Sequence, residues 1–173
     1  KLPFESAQLL VGVGNAPNAA VSFAKFGLKS SLVTNLGDDK RGRDTVAALQ
    51  ARGVDTEFVK LHSGKKSNYH YVLWYKDDRT ILINHEAYTY KWPRIDADEL
   101  PKWVYFSSIA ETAVDYHDAL ADWLERETSV KLAFQPGTFQ IKLGAERLAR
   151  LYARTEVLAL NREEAVQVTG GDY

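Results

Sequence analysis

The sequence contains no cysteine and no methionine in 173 residues. Without cysteine there is no disulfide, no thiolate nucleophile and no thiolate-ligated zinc, a composition expected of a cytoplasmic protein. An excess of one charge sign is also lacking, since 22 Lys and Arg face 23 Asp and Glu for a net charge of −1. That balance offers no electrostatic footprint for nucleic acid or an anionic membrane. No apolar run approaches the roughly 20 residues that a membrane helix needs. Leu9-Leu10-Val11 is too short for the apolar core of a secretory signal. With no methionine and Lys1 in first place, we expect a piece of a longer chain, or a sequence from which modified methionines have been lost.

What is present points to a folded domain. A hydrophobic fraction of 45% with 12% aromatics excludes a disordered chain. The length fits one ordinary domain, able to bury roughly 70% of its unfolded surface.

Apolar clusters alternate with helix-like stretches. Residues Ala16 to Phe26, apolar on most faces, predict a buried helix with Pro17 in its first turn and Gly27 as the stop. Residues Ser31–Asn35 predict a strand, and Arg43–Arg52, closed by Gly53, a second helix. The middle differs: Thr56–Leu61, Ser67–Tyr75 and Thr80–Asn84 read as three strands with no helix among them. We expect residues 56–93 to form an antiparallel insertion on a body made of 1–55 and 94–173. From Trp103 the alternation returns, with strands at Val104–Ser107, Lys131–Phe134 and Val157–Leu160. Helices are expected at Tyr116–Glu127, Ala145–Arg154 and Glu163–Val168. Strands separated by helices imply a mostly parallel, three-layer, Rossmann-like α/β sheet. Its ligands bind beyond the carboxyl ends of the strands.

Two constellations could carry chemistry. The first is Gly12-Val13-Gly14-Asn15-Ala16-Pro17-Asn18. Pro17 occupies the third glycine position of a dinucleotide fingerprint, which excludes that reading. There remains a glycine-flanked turn presenting Asn15 and Asn18 at a helix N-terminus. Asparagine offers donors and an acceptor suited to vicinal hydroxyls, while the plainer alternative is that Asn15 caps the helix. The second is Asn161-Arg162-Glu163-Glu164, just after a strand. An amide and a carboxylate there can hold a hydrated Mg²⁺ and the phosphates it bridges. N-x-x-E is equally a capping box. His62, His70, His85 and His117 show no metal spacing, and no GxSxG elbow surrounds Ser107 or Ser108.

In order along the chain these pieces resemble the ribokinase-like, PfkB-type carbohydrate kinase family. Gly14-Asn15-Ala16-Pro17-Asn18-Ala19-Ala20 is similar to the family's sugar-binding turn and helix. Leu36-Gly37-Asp38-Asp39 with Gly42, Leu49 and Arg52-Gly53-Val54 resembles its glycine–aspartate signature. Asp78-Arg79-Thr80 resembles a turn of its β lid, and Asn161 to Glu164 its N-x-x-E motif. Two departures stand out: Val13 replaces the first glycine of the usual pair, and Gln135-Pro136-Gly137 replaces a more acidic or Asn-rich turn.

The resemblance implies a ribokinase-like fold with a small antiparallel lid. It further implies ATP-dependent phosphorylation of a hydroxymethyl group on a sugar or sugar-like alcohol. Gly14, Asn15 and Asn18 would then bind substrate, and Asn161 and Glu164 would serve ATP and Mg²⁺, with Glu164 nearest the metal. No catalytic residue is assigned, because the family's G-A-G-D segment and its Asp would lie past Tyr173, and its first strand before Lys1. The chain by itself is therefore expected not to turn over. Partners expected are a small sugar or nucleoside and a second copy joined through the lid. The alternatives are a non-catalytic polyol-binding module, or a nucleoside kinase in which Tyr69, Tyr71, Trp74, Tyr88, Tyr90 and Trp92 stack on a base. The same aromatics could instead pack the lid.

Overall fold

The computed structural model describes residues 6–171. It comprises two compact units that divide between Glu86 and Ala87.

In the first unit, helix α1 spans Asn15–Lys25 and is closed by Phe26 and Gly27. The N–H of Leu28 reaches back to the Phe23 carbonyl, and that of Gly27 to Ala24, the pairing of a left-handed C-terminal stop. The helix is not buried all round, as its composition suggested. Ala20 alone is fully buried, while Phe26 is 82% exposed. Ala16, Ala20, Val21 and Ala24 form a narrow stripe against Leu32, Leu49, Val54 and Val59. Small side chains at i, i+4 and i+8 let the helix pack closely along one line and leave its other faces open.

Strand β1 (Thr34–Gly37) and strand β2 (Val59–His62) pair in parallel, with helix α2 (Lys40–Gln50) between them. The strand expected at 31–35 therefore begins three residues late. An isolated parallel bridge joins Ser31 to Asp55. The partner then turns at Thr56 to Val59, so continuous pairing resumes only at Thr34 opposite Val59. The first of the three strands read as an antiparallel insertion thus lies in a parallel sheet. Such a pairing joins segments 25 residues apart and leaves no local signature.

The antiparallel part is one hairpin, strands β3 (Tyr69–Tyr75) and β4 (Asp78–Asn84), in register from Tyr69 opposite Asn84 to Tyr75 opposite Asp78. Lys76, at φ 55°, and Asp77 make the two-residue turn. Primed hairpin turns need positive φ there, because their twist matches that of the strands.

The second unit carries strands β5 (Trp103–Phe106), β6 (Lys131–Phe134) and β7 (Thr155–Leu158), all parallel in that order. Helix α3 (Val114–Arg126) links β5 to β6. Residues Tyr116, Leu120, Trp123 and Leu124 line its buried face at helical spacing. They meet Phe106, Val130, Leu132, Phe134, Leu148 and Leu151, and Phe106 stacks on Phe134 at 5.4 Å. The helix expected at 145–154 is shorter, α5 (Ala149–Arg154), and an unexpected one, α4 (Thr138–Leu143), precedes it. Gly144, at φ 85°, ends α4. The last helix, α6, spans Arg162–Thr169.

The α/β reading, parallel sheets with a small antiparallel one, therefore holds. Among the described residues no helix is long and apolar enough to cross a membrane.

Candidate functional site

Three of the five expected site residues sit at the start of α1. Gly14 is its N-cap, with φ 136° and ψ 173°, a region that only glycine adopts without strain. A cap without a side chain cannot bond the helix amides. Asn15 is the first helical residue and not the cap, which corrects the plainer reading of that asparagine. The first helical bond runs from the Asn18 N–H to the Gly14 carbonyl at 2.9 Å. Asn15 and Asn18 are both exposed and three residues apart, so their amides share one helix face. Pro17 between them has no N–H to compete. The end of α1 thus offers two carboxamides and the positive end of a helix dipole to a hydroxyl-bearing ligand.

The other two lie in the second unit, at the start of α6. Asn161 Oδ1 accepts the Glu164 N–H at 2.8 Å, and Glu164 Oε2 accepts the Asn161 N–H at 2.9 Å. This is the reciprocal capping box. It holds the two side chains together at a helix N-terminus, in the loop that follows β7. Each acceptor has capacity to spare, because a carboxylate carries about four lone-pair sites and only one is used in that bond. Among the described residues no group of three or more His, Asp or Glu is placed to hold a metal ion. Such a donor set suits a hydrated Mg²⁺ held through water and by phosphates, and does not suit an all-protein cage.

A third centre escaped the sequence reading. Asp39 Oδ1 accepts the Gly42 N–H at 2.8 Å, capping α2. The same carboxylate accepts the Ser67 N–H at 3.0 Å and the Ser67 hydroxyl at 2.7 Å. Burial works to raise the Asp39 pKa, but the bonds from Ser67 and Gly42 and the charge of Arg41 outweigh it, and the pKa falls to about 2. The carboxylate is thus ionised at any physiological pH. The sequence shows an N-cap Asp with Gly42 three residues on. The bond to Ser67, 28 residues away, has no local signal.

Beyond Ser67 the hairpin stands nearly bare, with Trp74 66% exposed and Tyr71, Leu73, Tyr75, Leu82 and Ile83 exposed with it. At its root Arg41 lies over the Tyr69 ring, 4.3 Å from the centroid. The aromatics that follow behave differently. Tyr90 packs on Tyr116 and Trp92 on Trp123, with centroids 6.2 and 5.0 Å apart. Tyr90 and Trp92 therefore belong to the core of the second unit.

That core contains one polar chain. His117 Nδ1 lies 2.7 Å from the Ala113 carbonyl, which can only accept, so Nδ1 carries the proton. Its Nε2 then accepts from Gln140 Nε2 at 3.1 Å, while Gln140 Oε1 takes the Gly137 N–H at 2.7 Å. Burial lowers the His117 pKa, outweighing the bonds to backbone that would raise it, and favours the neutral ring. No charged catalytic role follows for it. The Gln135-Pro136-Gly137 turn is occupied structurally, with Tyr105 donating to the Gln135 side chain and Gly137 capping α4.

Comparison with known proteins bears on the family and the fold. The family model described as pfkB family carbohydrate kinase matches residues 10–172. An uncharacterised sugar kinase of Archaeoglobus fulgidus is 24% identical over 88% of this chain and 62% of its own length. The crystal structure of a PfkB family carbohydrate kinase from Listeria grayi superimposes with a TM-score of 0.76 at 16% identity, over 92% of this chain and 54% of that one. The aminoimidazole riboside kinase of Salmonella enterica, solved with aminoimidazole riboside and an ATP analogue, gives a TM-score of 0.64 at 27% identity. It covers 92% of this chain and 55% of its own. The chain thus spans little more than half the length of these relatives.

Proposed function

The chain belongs to the pfkB family of carbohydrate kinases, and from that premise we propose that the full-length protein transfers the γ-phosphoryl group of ATP to a hydroxymethyl group of a sugar or riboside. The observation that carries this reading is the family match across residues 10–172. The exposed α1 terminus and the bare hairpin give it physical form.

Phosphoryl transfer demands positioning and charge neutralisation more than covalent help from the protein. Gly14 opens the turn, and the Asn15 and Asn18 amides bind vicinal hydroxyls, fixing which one faces the phosphoryl group. The β3–β4 hairpin closes over the acceptor and keeps water from competing with it. Asn161 and Glu164, pre-set by their mutual bonds, hold a hydrated Mg²⁺ at the nucleotide phosphates. When bound, the ion neutralises phosphate charge. By the family resemblance the general base is an Asp, which takes the proton from the attacking hydroxyl. The protein is cytoplasmic, where ATP and free sugars meet. Two copies associate through the exposed apolar faces of the hairpin, which water would otherwise cover at a cost.

The similarity to an aminoimidazole riboside kinase supports ribosides as acceptors beside simple sugars. Exposed Tyr71 and Trp74 supply aromatic faces on the lid. The test is ADP release by the full-length protein against a panel of ketoses, aldoses, sugar acids and ribosides. One class of acceptor should stimulate it, and Asn18→Ala should raise KM for that acceptor about tenfold or more, the effect of losing a paired polar contact. A polyol that raises Tm without any acceptor-stimulated ADP release, with Mg·ATP raising no Tm, would replace the kinase with a polyol-binding module.

A further inference from the structure

Asp39 does more than cap a helix. Its carboxylate gathers the Gly42 N–H at the start of α2, and the Ser67 N–H and hydroxyl two residues before β3. The Ser67 hydroxyl also accepts the Gly37 N–H at 3.1 Å, at the last residue of β1. Ser67 is 2% exposed, among residues that otherwise lead into a solvent-facing hairpin. The approach is so close that glycine is required around it. A Cβ on Gly42 would lie 2.0 Å from the Gly37 carbonyl oxygen, and one on Gly37 would lie 2.4 Å from that of Lys65.

The second leg of the hairpin is laced to the first. Asn68 Oδ1 accepts the Glu86 N–H at 2.6 Å, and Lys65 pairs with Glu86 at 3.0 Å. Arg41, in the first turn of α2, adds its guanidinium over Tyr69, the first residue of β3. Beyond this root and Tyr69 the hairpin side chains are exposed, and among the described residues no cluster of buried apolar residues includes any of β3 or β4. The angle at which the hairpin leaves the parallel sheet is therefore fixed by polar bonds at its base. Packing along its length does not fix it.

We propose that Asp39 is a positioning residue for the lid: bonded to Ser67, it sets the pose of the β3–β4 hairpin against the end of β1 and so governs how closely the acceptor is enclosed. The inference rests on the reading of the hairpin as a lid. A carboxylate that accepts three bonds resists rotation, and these bonds tie the start of α2 to Ser67 at the hairpin root. The hairpin then swings as one body about residues 65–68.

Asp39→Asn separates this role from capping. Asparagine caps helices as well as aspartate does, so α2 keeps its start. The NH₂ group that takes the place of Oδ2, however, is a donor and cannot accept the Ser67 N–H. In the full-length protein the variant should speed amide hydrogen exchange at Tyr69–Tyr75 about tenfold or more, the scale of one charge-assisted bond. Exchange at Ala47–Gln50 and Leu132–Phe134 should stay as in the parent. KM for the acceptor should rise by a similar factor while kcat changes less, and Ser67→Ala should give the same pattern more weakly. Unchanged exchange in the hairpin, α2 opening to the same extent as the hairpin, or KM unmoved beside a working parent enzyme would each overturn the proposal. A parent protein that phosphorylates no acceptor would refute the kinase reading, and the exchange comparison would still decide whether Asp39 holds the hairpin.

Discussion

The two units solve the same problem with different materials. The second buries a continuous block of Phe106, Tyr116, Leu120, Trp123, Leu124 and Phe134, with Trp92 packed on its flank. The first buries little beyond Ala20, Leu32, Leu49 and Val54, and holds its most exposed element by Asp39 and Ser67. One unit is fixed by non-directional apolar burial, the other largely by directional bonds at a few points. Apolar burial tolerates no movement without opening a cavity. A polar joint can hold one pose firmly and still act as a pivot, which suits the half of the molecule that bears the proposed lid.

Cavity-forming substitutions should separate the two most sharply. Phe134→Ala should cost about 3–5 kcal/mol, because Phe134 is 1% exposed and stacked on Phe106. Urea denaturation with exchange mapping should place the loss in residues 87–171. Leu49→Ala should cost about 2–3 kcal/mol, since the surrounding stripe of alanines has fewer atoms to lose, and the loss should appear in residues 6–86. Equal costs would break the contrast.

Acid should then separate them by sign and window. His117 is buried neutral, so its folded pKa lies below 6.5. The unfolded chain binds that proton more readily, and the second unit loses stability as pH falls below 6.5. His117→Phe should flatten this limb in Tm measured between pH 7.5 and 5.5. Asp39 has a folded pKa of about 2 against an ordinary 3.8. Its contribution is complete above 3.8 and disappears as pH falls toward 2. Asp39→Asn should therefore flatten only that lower limb, seen in acid titration of hairpin exchange.

Smaller effects test the reading of the second helix terminus. Asn161→Ala removes one half of the capping box and should cost about 1 kcal/mol, read as a fall in Tm. Asn161→Asp keeps the cap and should restore Tm. Smallest of all, Arg150→Gln removes bonds to Asp122 and Glu125 at 2.5 and 2.7 Å. All three side chains are solvent-exposed, where water competes for them. Its Tm should stay within the error of the measurement.

What the sequence could reveal followed the range of the forces. Strand β6 matched residue for residue, and α2, α3 and α6 came within three residues at each end, because helical periodicity, N-caps and glycine stops are local. Helix α4 was missed and α5 begins four residues late, since neither exceeds six residues and Pro136-Gly137 read as a plain turn. The partner of β2 was missed because parallel pairing is non-local. The site divided in the same way. The turn at Gly14 and the pairing of Asn161 with Glu164 span three residues or fewer and could be read directly. The joint between Asp39 and Ser67 spans 28 residues, and its one visible sign was the pair of glycines it needs.

The hairpin's register has a consequence for the order of folding. Tyr75 and Asp78 are three positions apart, and each further rung closes from the one before. Hairpins of this kind zip in about 1–10 μs, whereas every parallel pair here must first close a chain loop of 23 residues or more. A lone two-stranded ribbon is marginal in water. The most exposed element is therefore formed and melted many times before Ser67 finds Asp39, and only that late meeting makes it permanent.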